Sequence, residues 1–521
     1  MSVTIKKNRL KNFKRFKNYT IEPNDRVNIL AGDNETGKSS ILEAIDLVAN
    51  GNLRRVESIG LDRLINIEAV KEFQSGARTF DRLPELRIEL YLSGEFDLSM
   101  NGRNNLDGTV CDGIRLICAP DQSFRTEIKD ALSAHEDYFP YDYYYVRFST
   151  FADQGYTGYK KKLRCAKIDS SSMNSEYATN DFVQRMYRQY TDSNQKERAL
   201  HKSQYRQMRN VFRSEGLRSL NERVPGDQDY FFGLRAGDSM ALEKDLMIYE
   251  NGIEIDSRGT GRQVFVKADF ALGRSSDNVD VILIEEPENH LSHVNLRKLI
   301  QRVADRKSGQ LFITTHNSLI STRLELNNLL IMHVSGEEHP VMLKNLSDDT
   351  AKYFMKAPPA SIVEFALSEK AILVEGPSEY MLMEKFYESV ANNSPEDDGV
   401  HIIDVRGLSF KRYLEIAKQT GAKVAVITDN DTDYQKYCVE KYAEYTKDSN
   451  VKIFYHADNN QRTFEMVLYK DNTALCDGLF IDDAENYMLK NKTEAAFVLL
   501  SQEELFFVPQ YIQKAIQWIR E

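Results

Sequence analysis

Three aspartates at alternate positions, Asp429, Asp431 and Asp433, follow the apolar run AKVAVIT. Alternate side chains of an extended segment point to one side, so these three carboxylates are expected to converge. Convergent carboxylates repel unless positive charge stands between them, which makes a divalent cation the first chemistry to consider. A helix-loop-helix calcium site would use Asp429, Asp431, Asp433 and Glu440. Its sixth position requires glycine for a left-handed turn, but here it is Tyr434, and the entering segment reads as a buried strand. A cation site at a strand end is the better reading.

A second chemistry lies in GDNETGKS, which is Gly32, Asp33, Asn34, Glu35, Thr36, Gly37, Lys38 and Ser39, followed by Ser40. The spacing is that of a phosphate-binding loop, and the flanks agree: RVNILAGDN reads as a strand and SSILEAIDLVAN as a helix. Backbone amides would cradle the phosphates of ATP, Lys38 would reach the outer phosphates, and Ser39 would bind magnesium. Such a loop needs a second carboxylate for the ion and a base for water. VILIEEPE supplies both: Glu285 is expected to hold the metal and Glu286 to polarise the attacking water. FITTHN places His316 at another strand end, where sensing the outermost phosphate and a structural role stand equally open.

These residues need elements to position them. Strand patterns alternate with helical ones in both halves, including LRIELYL, YYYVRF, VDVILIEEPENH and GQLFITTHNS early, and KAILVEGPSEYMLMEKFYESV, GAKVAVITDND and VKIFYHA late. This rhythm predicts an α/β chain with parallel sheets in both halves and a helical insertion between about Thr179 and Val224. A second unit is expected to begin near Phe365. At 521 residues, several domains are expected from the rough prior of ~150 residues each. No apolar run approaches the ~18 residues of a membrane span, and the basic N-terminus lacks an apolar core, so no membrane or secretory route is expected and the cytoplasm is. Cys111, Cys118, Cys165, Cys438 and Cys476 show no metal or disulfide spacing and read as free thiols. The net charge of −11 leaves nucleic-acid binding to local patches. The stretch Arg185 to Arg223 is one candidate, read equally as a DNA-facing surface or a solvated helical face.

The phosphate loop, ILIEEPENHLS, TTH and the opening LKNFKRFKNYTI together resemble the ABC-type ATPases of the SMC and RecF group. That resemblance implies two heads sandwiching ATP, hence a homodimer or other homo-oligomer, with a signature loop completing the partner's site. DSRGTGRQ is the best match to that loop, with Ser257, Gly259 and Gly261 before a helix, although it departs from the LSGG form.

In the second half, Glu375, Glu379, Gly407, Asp429 and Asp431 resemble, in order, the Toprim pattern of topoisomerases, primases and some nucleases. Oxygen donors from several strand ends suit two Mg2+ or Mn2+ ions clamping a phosphodiester. Asp433 reads as a solvated loop acid. An ABC-type head over 1–360 followed by Toprim over 361–521 resembles the overcoming-lysogenization-defect (OLD) nucleases, with related architectures in Gabija and retron systems. The resemblance adds Glu465 as a metal ligand and Lys492, with Lys490 as near rival, as the lysine facing the cleaved phosphate. It implies catalytic roles for Glu375, Asp429, Asp431 and Lys492 beside Glu286 and His316 in the head. The implied function is ATP-regulated, metal-dependent DNA cleavage in phage defence, with a helicase or a retron reverse transcriptase and its non-coding RNA as partner on another chain. The rivals are an ATP-switched DNA-binding scaffold without cleavage, strand passage or nicking through a tyrosine, and a nuclease for RNA such as tRNA.

Overall fold

The computed structural model describes residues 3–521 apart from 135–137, 158–161, 170–175, 192–194, 225–230, 235–241, 273–278, 290, 306–308, 333–338, 344, 357–360, 408–409, 481–482 and 503–506. Packing divides the chain into two compact units. One is Met1–Ile29, Gly37–Thr315 and Glu337–His339; the other is Leu30–Thr36, His316–Gly336 and Pro340–Glu521. Residue 360, where the sequence placed a domain boundary, lies outside the described residues.

In the first unit the strand Thr4–Phe13 buries Ile5, Leu10 and Phe13 and pairs antiparallel with Phe16–Ile21 on one edge and Leu86–Ser93 on the other. The sheet continues antiparallel through Cys111–Pro120 to Tyr144–Thr150. This antiparallel sheet stands beside the parallel sheet expected in this half, and the sequence pattern does not foresee it. A second sheet has a parallel core in this unit: Val281–Glu285 lies between Cys165–Asp169 and Gln310–Thr315 and pairs parallel with both. Val281–Glu285 and Gln310–Thr315 are buried along their whole length, as strands covered on both faces must be.

Between these sheets runs the helix Lys38–Asn50, packed on Leu86–Ser93 and Cys111–Pro120 as well as on Cys165–Asp169 and Val281–Glu285. Burial on so many sides makes its one interior acid costly, and Asp46, fully buried, is matched by Arg55 and by the Asn50 amide at 2.6 Å. The charged stretch after Thr179 forms the helices Glu176–Tyr190 and Gln195–Val211, as predicted. Of its cations, Lys196 and Arg206 are exposed and Lys202 pairs with Glu243 at 2.7 Å.

The second unit is built on a wholly parallel sheet in the order Val400–Asp404, Lys370–Val374, Lys423–Ile427, Val451–Phe454. Helices Pro377–Ala391, Phe464–Asp471, Lys492–Leu500 and Gln510–Arg520 share one core with it, including Ile372, Val374, Phe386, Phe464, Ile512 and Ile516. From Lys370–Val374 the chain moves to one side for Val400–Asp404 and then to the other for Lys423–Ile427. The reversal opens a crevice at the carboxyl ends of the two central strands, where open α/β sheets bind ligands. No described helix is long and apolar enough to cross a membrane.

Gln310 fastens the two sheets of the first unit. It is fully buried; its Oε1 accepts from the Ile5 amide at 2.8 Å, and its Nε2 donates to the carbonyls of Ile5 at 2.9 Å and Asn24 at 2.8 Å. Gln310→Leu keeps the volume but strips these main-chain groups of their partner, so unfolding in urea should show a loss of about 2–4 kcal/mol. An unchanged midpoint would mean that the sheets hold together without it.

Candidate functional site

The crevice of the second unit collects the acids. Glu375 follows directly on the strand Lys370–Val374, and Asp429 comes two residues after Lys423–Ile427, so the two central strands deliver both to one place. Glu375 Oε2 accepts from the Asp429 amide and from the Thr428 hydroxyl, each at 3.4 Å. Asp429 Oδ1 accepts from the Phe464 amide at 2.8 Å, at the start of the helix that carries Glu465. Glu379 enters from the first turn of Pro377–Ala391, a helix started by proline, and is buried. Lys492, half-exposed at the start of its helix, donates to Glu465 Oε2 at 2.9 Å.

Electrostatics shows how close this association is. Burial, then the charges of Glu375, Glu379 and Glu465, pushes Asp429 up to about 8. Burial, then Glu465 and Glu375, pushes Glu379 up to about 8 as well. Lys492 moves the other way: burial opposes its charge, but Glu465, Asp429 and Glu379 raise it above its ordinary value. Lys490 is exposed at the end of the preceding helix, so Lys492 is the lysine that reaches the acids.

The three alternate aspartates do not converge, which corrects the opening expectation. Asp431 and Thr432 take left-handed φ values of 47° and 77°, so the segment is not extended and the alternation fails. Asp429 turns inward, Asp431 is exposed, and Asp433 accepts from the Lys436 amide at 3.2 Å as a local turn acid. The residue that enforces this is Asn430, which sequence reasoning passed over. It is buried; its Nδ2 donates to the carbonyls of His456, Asp458 and Gln461 at 2.9, 3.0 and 3.1 Å, and its Oδ1 accepts from the Thr432 amide at 3.0 Å. Gly407, at φ 96°, donates its amide to the Glu375 carbonyl at 2.8 Å, a backbone conformation that favours glycine.

The phosphate loop has the expected local form. Gly37 sits at φ 93° beside Phe16 and Arg15, where a Cβ would lie 2.5 Å from the Phe16 ring. A Cβ on Gly32 would lie 2.6 Å from the Met332 carbonyl oxygen. Asp33, Asn34 and Glu35 are exposed, Thr36 is buried with its hydroxyl on the Asp33 carbonyl at 2.9 Å, Lys38 is buried, and Ser39 and half-buried Ser40 lie in the first helical turn.

Glu285 closes its strand, buried, and pairs with Lys167 at 3.0 Å, a partner with no signal in the sequence. Glu286 takes a left-handed φ of 39°, held by its amide on the Thr314 carbonyl at 3.1 Å, and accepts from Asn289 at 2.7 Å. His316 is exposed after the strand Gln310–Thr315. Ser257 ends the short turn Ile255–Ser257 and Gly259 is exposed, but Gly261 lies inside the helix Thr260–Leu272 rather than in the loop expected before it.

No three His, Cys, Asp or Glu side chains among the described residues form a ready-made metal cage. The donors nonetheless fit a divalent cation of the Mg2+ or Mn2+ class. Glu375, Glu379, Asp429 and Glu465 all carry hard oxygen donors, and the burial and neighbouring charge that raise Asp429 and Glu379 are relieved by added positive charge.

Asn430→Asp puts an acceptor where three carbonyls need a donor. It should lower stability at neutral pH by about 2–4 kcal/mol, measured by chemical denaturation. Wild-type stability would show that the clamp is dispensable.

Residues 367–431 match the family model described as overcoming lysogenization defect protein-like, TOPRIM domain. Residues 4–215 match an AAA ATPase domain, and 160–322 an AAA domain described as putative AbiEii toxin, Type IV TA system. Among curated proteins the chain is 25% identical over 172 residues to endonuclease GajA of Bacillus cereus (strain VD045), covering 32% of this chain and 29% of that one. It is 37% identical over 97 residues to the DNA replication and repair protein RecF of Idiomarina loihiensis, covering 18% and 25%. The chain thus spans less than a third of the length of each curated relative it matches. Among solved structures, the C-terminal region of the Xanthomonas campestris pv. campestris OLD protein is 17% identical over 29% of this chain and 92% of that one, at a TM-score of 0.21 that adds no weight. The chain joins an AAA-type ATPase domain to a Toprim domain of the overcoming-lysogenization-defect type.

Proposed function

We propose that this protein is an ATP-regulated, divalent-metal-dependent endonuclease for DNA, with an ATPase domain over 1–360, a helical insertion near 179–224, and a nuclease domain over 361–521. The observation that carries the reading is the crevice in which Glu375, Glu379, Asp429 and Glu465 gather, with Lys492 acting on the last three. With Asp431 at the rim, these acids would hold Mg2+ or Mn2+, and the ion would neutralise charge on the phosphodiester oxygens as water attacks. Lys492 stands beside the acids on a half-exposed side chain, suited to meet the negative phosphate. Glu375 and Asp429 are held by main-chain amides or neighbouring hydroxyls, so their carboxylates are oriented before substrate arrives.

In the ATPase domain Lys38 and the amides of Gly32 to Ser40 would bind the phosphates, and Ser39 with Glu285 would hold the accompanying Mg2+. Glu286 would polarise the attacking water and His316 would meet the outermost phosphate. Ser257 and Gly259 would complete the nucleotide site of a second copy. ATP in this reading gates access to DNA through association of the heads, and the cut itself needs no ATP energy. Phage defence in the cytoplasm is the biological role, with a helicase or a retron reverse transcriptase as partner. The similarity to endonuclease GajA supports the nuclease reading over a scaffold.

Supercoiled plasmid incubated with Mg2+ or Mn2+ should be nicked or linearised, with EDTA abolishing the cut and Asp429→Ala slowing it on the order of 10³-fold. No cutting in any condition, with ATP still hydrolysed, would favour the ATP-switched scaffold, and cleavage of RNA alone would reassign the substrate. Glu286→Gln should slow ATP turnover by roughly 10²–10³-fold while ATP still binds. Turnover at the wild-type rate would remove Glu286 from the role of base.

A further inference from the structure

A groove of about 640 Å³ lies in the first unit, between the helix Ile67–Ser75 and the paired strands Thr4–Phe13 and Phe16–Ile21. Four cations line it, Arg9, Lys11, Lys17 and Arg82, against a single carboxylate, Glu72. Lys17 donates to both oxygens of Glu72 at 2.6 Å. Arg9 pairs with Asp107, which Lys7 also meets at 2.9 Å. The side chains of Lys11 and Arg82 meet no carboxylate among the described residues.

The surroundings of Lys11 sharpen the imbalance. Arg87 stands directly opposite it on the neighbouring strand, and Arg9 lies two residues away on the same face, so like charges are set side by side. Arg87 is answered by Glu85 at 2.7 Å, whereas the other cross-strand neighbour of Lys11 is the neutral Asn18. An anion in the groove would relieve this repulsion. The groove also has an apolar wall of Phe73 and Leu106, the latter fixed by its amide on Glu89 Oε2 at 2.8 Å. Its volume is that of a small-molecule site, which spans about 300–1,000 Å³.

We propose that this groove binds a small phosphate-bearing molecule with an apolar body, at a site that shares no residue with the phosphate loop. The planar guanidinium of Arg82 suits two phosphate oxygens at once, and Lys11 adds a point charge to the same groove. Phe73 and Leu106 receive the apolar part. Binding here needs none of the acids near Glu375, so its measurement is independent of the nuclease reading.

The test is calorimetric titration of the full chain carrying Lys38→Ala, so that the phosphate loop does not compete, with thymidine diphosphate and with inorganic pyrophosphate. Thymidine diphosphate should bind more tightly than pyrophosphate, and adding Lys11→Gln and Arg82→Gln should weaken it by about tenfold or more. Glu72→Gln removes the one carboxylate and frees Lys17, so it should tighten binding, a gain that damage to the fold cannot imitate. Absence of binding by both probes, or equal binding with and without Lys11 and Arg82, would overturn the proposal. Duplex DNA is titrated across salt in EDTA beside them. If the double glutamine variant lowers its slope of log affinity against log salt by about two while thymidine diphosphate is unaffected, the groove holds a nucleic-acid backbone and the small-molecule proposal falls.

Discussion

The cost of packing carboxylates together out of water is the constraint around which the second unit is organised. Glu375, Glu379, Asp429 and Glu465 share a crevice with Lys492, and burial, then the neighbouring carboxylates, raises the cost of ionising Asp429 and Glu379. Such a cluster would spread apart unless its backbone were held. The holding comes from two buried parallel strands, from the Asn430 amide on three carbonyls, and from the Gly407 amide on the Glu375 carbonyl. The apolar core beneath, with Ile372, Val374, Phe464 and Ile512, anchors the helices that supply Glu379 and Glu465. Order in the scaffold thus sustains an electrostatic imbalance that positive charge can relieve.

The same device occurs in the ATPase domain. There too a fully buried parallel strand ends in an acid: Val281–Glu285 delivers Glu285, as Lys370–Val374 delivers Glu375. Glu285 is answered by Lys167 from the adjacent strand, whereas the acids near Glu375 are answered by Lys492 from a helix start, through its pair with Glu465. The two environments differ where the chain leaves the strand. Glu286 turns at once into a left-handed conformation, whereas Asp429 is reached through Thr428 and locked by a main-chain amide. Polar ends of apolar strands can carry acids because solvent, an amide or a lysine meets them there, while the strand interior could not.

Much of this organisation was legible along the chain. Continuous apolar runs marked the covered strands, the glycine spacing marked the phosphate loop, and Pro377 after Glu375 and Gly376 marked a helix start. Tertiary context decided the rest. The alternation of Asp429, Asp431 and Asp433 pointed to convergence, but Asn430 finds carbonyls of residues 456, 458 and 461, distant in the chain, and bends the backbone into left-handed turns. The antiparallel sheet of the first unit escaped for a similar reason: its strands read as ordinary amphipathic segments, and pairing direction is a property of what lies beside them.

By itself the sequence determined which residues could carry chemistry and which strand or helix would present each one, because residue type, period and glycine spacing are local properties of the chain. It determined Lys38, Ser39, Glu285, Glu375 and Asp429 in this sense. Only the tertiary structure decided that Lys492 rather than Lys490 meets the acids, that Asp431 stands outside while Asp429 stands within, and that Asn430 finds three distant carbonyls. These outcomes depend on burial, on charge brought in from distant segments, and on main-chain partners that no short stretch contains.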